Sequence, residues 1–280
     1  MKRLLKFETQ RMFRSKAMYA AISIGAIISL WLLVIELQEV FEYEQIIALY
    51  GMEKAGLYYP RSLYNSFIGL EYAYLPSTVL YTIFPLLVSF PYAVSYFGDR
   101  KSGYLKNILT VCNKKQYFAA KYITVFLSGA LVTLAILMFS LLITAMFFPA
   151  LSPELTTSSF SPQRGTQMWT GLFVTHPLIY TLLYILIDVV FYGLISTLPL
   201  IFGLVAQNGF TVICAPLLIY TLAYYILSAV DLEQFSPMVF LRPCQIFTEA
   251  DFRIIVGEAV LLLLITTGIF LPVGGRKDVL

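Results

Sequence analysis

The chain has 280 residues, of which 59% are hydrophobic and only 12% are charged, and its mean hydropathy is +0.79. Soluble domains usually carry about 25% charged residues, so a soluble globular protein is excluded and lipid is the expected solvent. The formal net charge of +3 is small, and no nucleic-acid partner is expected. Three cysteines and one histidine predict neither a disulfide framework nor a zinc site, so we expect no cofactor on this chain.

Six segments are apolar over the ~20 residues that a helix needs to cross a bilayer core of ~30 Å. We therefore predict an all-α integral membrane protein whose residues 1–280 form a single transmembrane domain. The six transmembrane helices are predicted at about 17–37, 75–97, 123–148, 177–205, 210–230 and 254–273.

The distribution of Lys and Arg predicts the orientation. Segments 1–16, 98–122, 206–209 and 274–280 together hold 14 of the 19 basic residues, and the alternate segments hold five. Basic residues accumulate on the cytoplasmic side of membrane proteins. Both termini are therefore predicted in the cytoplasm of a multi-pass cell-membrane protein, and a bacterial plasma membrane is expected.

Residues 1–16 are predicted to form a basic amphipathic helix. Leu4, Leu5, Met12 and Phe13 can share one face, and Lys and Arg occupy the other. Such a helix lies in the lipid headgroup layer. The alternative is a plain positively charged anchor with no helical role.

The loop at residues 98–122 is predicted to contain a second, shorter amphipathic helix. Asp99 can cap its start, and an apolar stripe follows at helical spacing. The stripe consists of Tyr104, Leu105, Ile108, Leu109 and Cys112. Its spacing fits equally well with packing on headgroups and with docking into a groove of a cytoplasmic partner.

The remaining segments carry weaker signals. Asp188 is the one ionisable residue deep inside a predicted span. Such a residue should face the bundle interior, and Tyr184 or Tyr192 is its expected hydrogen-bond partner. Its role is either in a transport pathway or structural.

The outer segment 38–74 is acidic and aromatic, which fits an interfacial belt or a surface that handles a cationic amphipathic substrate. Segment 149–176 is predicted to be irregular.

Two stretches resemble the type-2 ABC transporter permeases. DRKSGYLKNILT at 99–110, followed by KK at 114–115, is similar to the cytoplasmic loop between the second and third spans of that family, where an acidic residue stands four positions before a glycine. ETQRMFRSK at 8–16 is similar to the family's elbow helix. The chain departs from the family pattern at Tyr104 and Cys112.

The resemblance implies a fold with an N-terminal elbow helix, a cytoplasmic coupling helix and short outer re-entrant helices within 231–253. It also implies an ATP-binding cassette subunit as partner, with ATP and magnesium bound there, and a second permease subunit in a homodimer or related heterodimer. The residues expected to couple to the ATPase are Asp99, Gly103, Tyr104, Leu105, Ile108 and Leu109.

The function implied is export of an amphipathic or hydrophobic molecule, such as a peptide antibiotic, a drug or a lipid-like compound. The chain contains no G-x-x-x-x-G-K-[ST] phosphate loop, so it is not expected to be an enzyme and would borrow the ATPase. The alternative is an ATP-independent channel or secondary transporter. An intramembrane enzyme is disfavoured because no cluster of catalytic side chains lies at membrane depth.

Overall fold

The computed structural model describes residues 1–50, 61–70, 74–151, 153, 168–242 and 251–276. Throughout these ranges the ordered elements are helices. The α-helices are α1 Lys2–Phe13, α2 Lys16–Tyr50, α3 Leu63–Ser66, α4 Leu75–Ser89, α5 Ser95–Lys101, α6 Tyr104–Val111, α7 Lys114–Phe147, α8 Thr170–Thr175, α9 Pro177–Ile195, α10 Leu198–Phe202, α11 Gly209–Ser228, α12 Pro237–Phe240 and α13 Phe252–Arg276, and a 3₁₀ turn at Glu233–Phe235 precedes α12.

Five stretches of the described chain are long and apolar enough to cross a membrane, which identifies a multi-pass, all-helical membrane protein. They are Lys16–Leu49, Lys114–Phe147, Pro177–Phe202, Gly209–Ser228 and Phe252–Pro272. Two of these helices are longer than the sequence predicted. α2 continues well beyond residue 37, where the first predicted span ended. α7, which contains the third predicted span, begins at Lys114 instead of near residue 123.

The predicted second span, 75–97, is not one continuous helix. α4 ends at Ser89, and the chain turns before α5 begins at Ser95. Pro91 explains the end of the helix, because proline has no backbone N–H with which to continue the hydrogen-bond ladder of α4. At 15 residues, α4 is about 22 Å long, which is short of a ~30 Å hydrocarbon core.

Contacts at the two ends of α4 show that it runs the length of the bundle beside α2. At its start, Tyr74 donates a hydrogen bond to Glu39, late in α2. Just beyond its end, the carbonyl of Pro91 accepts a 2.9 Å hydrogen bond from Ser15, where α2 begins. We call the two ends of the bundle the α1 end and the far end.

The core forms around α7, which packs against α9, α2, α1 and α13. α7 packs tightly on the end of α9, where a Cβ placed on Gly129 would collide with the side chain of Ser196. The Ser196 hydroxyl donates a 3.0 Å hydrogen bond to the carbonyl of Val125. A small residue at 129 is therefore required for these two helices to pack at this distance.

Candidate functional site

A buried cluster of four charged side chains joins three elements at the α1 end. Glu8 and Arg11 come from α1, Asp99 from α5, and Lys121 from the second turn of α7. Glu8 and Lys121 are fully buried and Asp99 is 3% exposed. Two carboxylates and two cations balance, so the cluster is neutral as a whole.

The geometry makes Lys121 the centre of this ionic cluster. Its Nζ lies 2.7 Å from Glu8 Oε2 and 2.7 Å from Asp99 Oδ2. Arg11 Nη2 lies 3.0 Å from the other Asp99 oxygen, Oδ1. Two tyrosine hydroxyls complete the shell: Tyr117 donates to Asp99 at 2.8 Å, and Tyr92 donates to Glu8. α1, α5 and α7 are thereby fastened together by charge-assisted hydrogen bonds.

The electrostatics hold Asp99 ionised. Burial alone would raise the pKa of this carboxyl, but attraction to Lys121 and hydrogen bonds from Arg11, Lys121 and Tyr117 outweigh it and lower the pKa. Burial alone would lower the pKa of Arg11, but the hydrogen bond to Asp99 and the negative charge of Asp99 outweigh it and raise the pKa. Burial, and then the negative charge of Glu8, raise the pKa of Tyr92, so its hydroxyl keeps the proton that it donates.

The lowered pKa of Asp99 predicts an acid-sensitive fold. A carboxyl whose folded pKa lies below its unfolded value of about 3.9 stabilises the protein above that pH, and the stabilisation is lost as the pH falls through the folded pKa. We expect thermal melts of the purified protein to show a smaller loss of stability between pH 6 and pH 3 in Asp99→Asn than in wild type. Glu42→Gln, at an exposed site on α2, serves as the control with the wild-type slope. Equal slopes in all three proteins would contradict this role for Asp99.

The sequence predicted that Asp99 would cap the loop helix, which is wrong. Its carboxylate is instead turned into the ionic cluster. The turn into α6 is made by Gly103, whose φ of 75° is in the left-handed region. A residue with a Cβ is strained there. The role of Gly103 is therefore to redirect the backbone between α5 and α6.

The apolar stripe of α6 packs against this chain itself. Leu105 is 1% exposed within the core, and Ile108 and Leu109 are half-buried against it. Tyr104 lies with its ring 5.2 Å from the Arg11 guanidinium. The sequence predicted that this stripe would face headgroups or a partner, which is wrong for Leu105. The exposed surface of α6, which we call the α6 outer face, consists of Lys106, Asn107, Thr110 and Val111.

α1 forms as predicted, although its two faces are composed differently. Met12 is fully buried and Leu4 packs on the core, but Phe13 is 46% exposed. The buried face instead carries Glu8, because the ionic partners on α5 and α7 lie beneath it. Lys2, Arg3 and Lys6 remain exposed.

Asp188 lies inside the bundle, 2% exposed, but its partner is not the one predicted. Tyr81 of α4 donates a 2.9 Å hydrogen bond to Asp188 Oδ2, and no hydrogen bond from a described residue reaches Oδ1. The guanidinium of Arg242 lies 5.6 Å from the Tyr81 ring centre. Tyr192, one of the two predicted partners, shares a 3.2 Å hydroxyl contact with Tyr220. The sequence spacing pointed to tyrosines on the same helix, whereas the donor comes from α4.

A second ionic group lies at the far end and neutralises part of the predicted acidic surface. Arg61 Nε is 3.2 Å from the fully buried Glu36, and its other nitrogen contacts Glu39. Ser66 donates a 2.9 Å hydrogen bond to Glu36. Glu36 is thus neutralised inside the fold, whereas Glu39 stays partly exposed beside its arginine partner. Part of the outer segment, at 51–60 and 71–73, lies outside the described residues, as does much of the predicted irregular segment at 154–167.

Comparison with known proteins gives no match: no family model, no curated protein and no solved structure is significantly similar to this chain. Among the described residues there is also no group of three or more His, Cys, Asp or Glu side chains able to hold a metal ion. The buried charges and the exposed face of α6 are accordingly the features from which a function can be argued.

Proposed function

We propose that this chain is the permease subunit of an ATP-driven exporter of the type-2 ABC class, carrying an amphipathic or hydrophobic molecule out of the cell. A separate ATP-binding cassette subunit would bind ATP and magnesium, and a second permease subunit would complete the pathway. The observation that carries the proposal is the ionic cluster, because it connects α5, which directly precedes α6, to both α1 and the base of α7.

The cluster gives a route by which a force on the loop can reach the membrane. α6 is joined to α5 by the two-residue range 102–103 and to α7 by 112–113, so it has little freedom to move alone. Asp99 of α5 is ion-paired to Lys121 at 2.7 Å and to Arg11 at 3.0 Å. A displacement of α6 by a partner would therefore move α1, α5 and α7 as a unit. This is the mechanical behaviour that a coupling helix requires.

In this proposal α4 is a sixth crossing and α1 is the elbow helix. α4 and the turn after it connect the far end to the α1 end, where Tyr92 meets Glu8. Six crossings place both termini on one side, and the excess of Lys and Arg in the segments of the α1 end makes that side the cytoplasm. The 3₁₀ turn at Glu233–Phe235 and α12 Pro237–Phe240 supply short helices where outer re-entrant helices are expected.

This orientation predicts a labelling pattern in intact cells. A membrane-impermeant thiol reagent should modify an engineered Ser159→Cys and should leave Ser102→Cys, in the cytoplasmic turn before α6, unmodified until the cells are lysed. The three natural cysteines, Cys112, Cys214 and Cys244, are replaced by Ser beforehand, so that the engineered thiol is the one that reacts. Labelling of Ser102→Cys in intact cells would reverse the orientation and remove the cytoplasmic face that the ATPase needs.

Asp188 is proposed to act in transport beyond its hydrogen bond to Tyr81. In Asp188→Asn the side-chain oxygen can still accept from Tyr81 while the charge is lost. Insertion and thermal stability should be at least those of wild type, because a buried charge costs about 2.5–3.5 kcal/mol on insertion scales. ATP-driven transport should fall, whereas Tyr81→Phe should lower stability by about 1–3 kcal/mol. Full transport by Asp188→Asn would leave Asp188 with a structural role only.

The proposal as a whole is tested by what accompanies the chain. Tagged protein, purified in mild detergent from its native membrane, should bring with it a subunit bearing a phosphate-loop sequence and should hydrolyse ATP. The same chain expressed and purified alone should not. Transport that needs no ATP and follows an ion gradient would instead support a channel or secondary transporter.

A further inference from the structure

A pocket between α9, α11 and α13 has apolar walls and one carboxylate. Its volume is about 390 Å³, which is within the range of small-molecule sites, and a wall is closed by Phe235 and Pro237 at the far end. Apart from Tyr220 and Glu258, the side chains that line it are hydrocarbon. We call this the Glu258 pocket.

Glu258 is the one charged group in the wall of this pocket. It lies six residues into α13, which places it about 9 Å along the helix from Phe252. In the described part of the chain it makes no ion pair and no hydrogen bond. A carboxylate in apolar surroundings is costly unless a partner charge or hydrogen bond meets it. Elsewhere in this fold a buried carboxylate is met by a positive charge: Glu8 pairs with Lys121, and Glu36 pairs with Arg61.

The other polar group of the pocket is already engaged. The Tyr220 hydroxyl lies 3.2 Å from the hydroxyl of Tyr192, inside the bundle, and Tyr220 is buried. The carboxylate of Glu258 is thus the group left to bind a ligand. A ligand that complements the pocket must bring a hydrophobic body for the walls and one positive charge for Glu258.

We infer that the Glu258 pocket binds a lipophilic cation, a compact hydrophobic molecule that carries a single ammonium, phosphonium or similar charge. This names a substrate class for the export proposed above and in that sense rests on it. Binding itself does not need the ATPase, so this inference and the proposed function can fail separately.

Two size-matched probes of opposite charge test the inference: tetraphenylphosphonium and tetraphenylborate. Saturable binding of each is measured on the purified chain in phosphatidylcholine nanodiscs, after subtraction of empty nanodiscs. Wild type should bind the cation at least about tenfold more tightly than the anion, because only the cation can pair with the carboxylate. Absence of saturable cation binding, or no preference for the cation, would overturn the inference.

Three variants locate the site. Glu258→Gln removes the charge at nearly constant shape and should weaken cation binding about tenfold. Ala223→Phe enlarges a wall residue and should weaken binding of both probes while the carboxylate remains. Glu42→Gln, exposed on α2, is the matched control and should bind as wild type does. Thermal melts confirm that each variant is folded. If Glu258→Gln is unstable, Glu258→Asp replaces it: this variant keeps the charge on a shorter side chain and should bind the cation with an affinity between those of wild type and a variant without the charge.

The pattern of losses decides the outcome. Wild-type cation binding by Glu258→Gln would overturn the role of the carboxylate. Weakening by Glu258→Gln but not by Ala223→Phe would place the cation outside the pocket and overturn the site. Co-purification of the ATPase is measured on the same variants and should be unchanged, since no residue of α6 lines the pocket.

Discussion

Replacing Lys121 by Met should destabilise the protein by about 3–5 kcal/mol, the usual cost of removing one partner from a buried ionic pair. Lys121 Nζ lies 2.7 Å from both Glu8 and Asp99 and is fully buried. Without it, two carboxylates face each other with Arg11 as the remaining cation. The unfolding midpoint in detergent should fall sharply, and α1 should become the segment most easily cleaved by protease.

A matched pair of variants separates this effect from a general loss of a lysine. Lys115→Met, exposed on the same helix, should change stability by no more than about 0.5 kcal/mol. Combining Lys121→Met with Glu8→Gln should recover part of the loss, because the second change removes one of the two unpaired charges. If Lys121→Met melts like Lys115→Met, the ionic cluster does not hold these helices together and the proposed coupling route is wrong.

Replacing Val111 by Asp should release the proposed ATPase subunit without unfolding the bundle. Val111 is 84% exposed on the α6 outer face, so the folded chain itself loses almost nothing. If a partner buries this side chain, the contact is worth about 1.5–3 kcal/mol, and a buried unpaired carboxylate adds a further penalty. Recovery of the ATPase with purified Val111→Asp should fall at least tenfold.

Val205→Asp is the control for this substitution. Val205 is 71% exposed and lies near the α1 end, in the turn between α10 and α11. The same chemical change is therefore made on the same side of the protein but away from α6. Release of the ATPase by both variants alike, or by neither, would remove α6 as the docking element. Leu105→Asp is unsuitable as a test, because Leu105 belongs to the core and its loss would disrupt the fold.

Five of the six predicted membrane helices are found, because hydrocarbon thickness imposes a length on every apolar run. The sequence predicted their ends less well. The break before Pro91 and the extension of α7 back to Lys114 depend on local backbone geometry and on burial of the first turns by α1. Neither feature changes the hydropathy of the segment, so neither is visible in an apolar count.

The ionic cluster was only half visible in the sequence. Asp99 was singled out by its spacing from Gly103, but its pairing with Lys121 and Glu8 was not predicted. Glu8 and Lys121 are 113 positions apart, so no local periodicity connects them. Two signals were present: Glu8 is the one acidic residue before residue 36, and Lys121 stands alone among apolar residues at the start of a span. A lone charge inside an apolar stretch predicts a buried partner.

The burial of Leu105 shows why an amphipathic pattern does not identify what covers its apolar face. The stripe on α6 was equally compatible with headgroups and with a partner. Packing of Leu105 into its own core moves any partner contact to the α6 outer face, of which Val111, 84% exposed, is the apolar member. The prediction of a coupling helix stays a prediction, now assigned to a different surface.

Photo-crosslinking from position 111 tests the central claim most directly. A benzophenone amino acid is introduced at Val111 in the native membrane, and at Ile24, an exposed site within the α2 span, as the control. We expect the probe at 111 to crosslink to a subunit whose peptides contain a phosphate loop, and the probe at 24 to give no such product. Lipid adducts alone at position 111, with no ATP-binding subunit, would show that α6 lies on the membrane surface and would contradict the account.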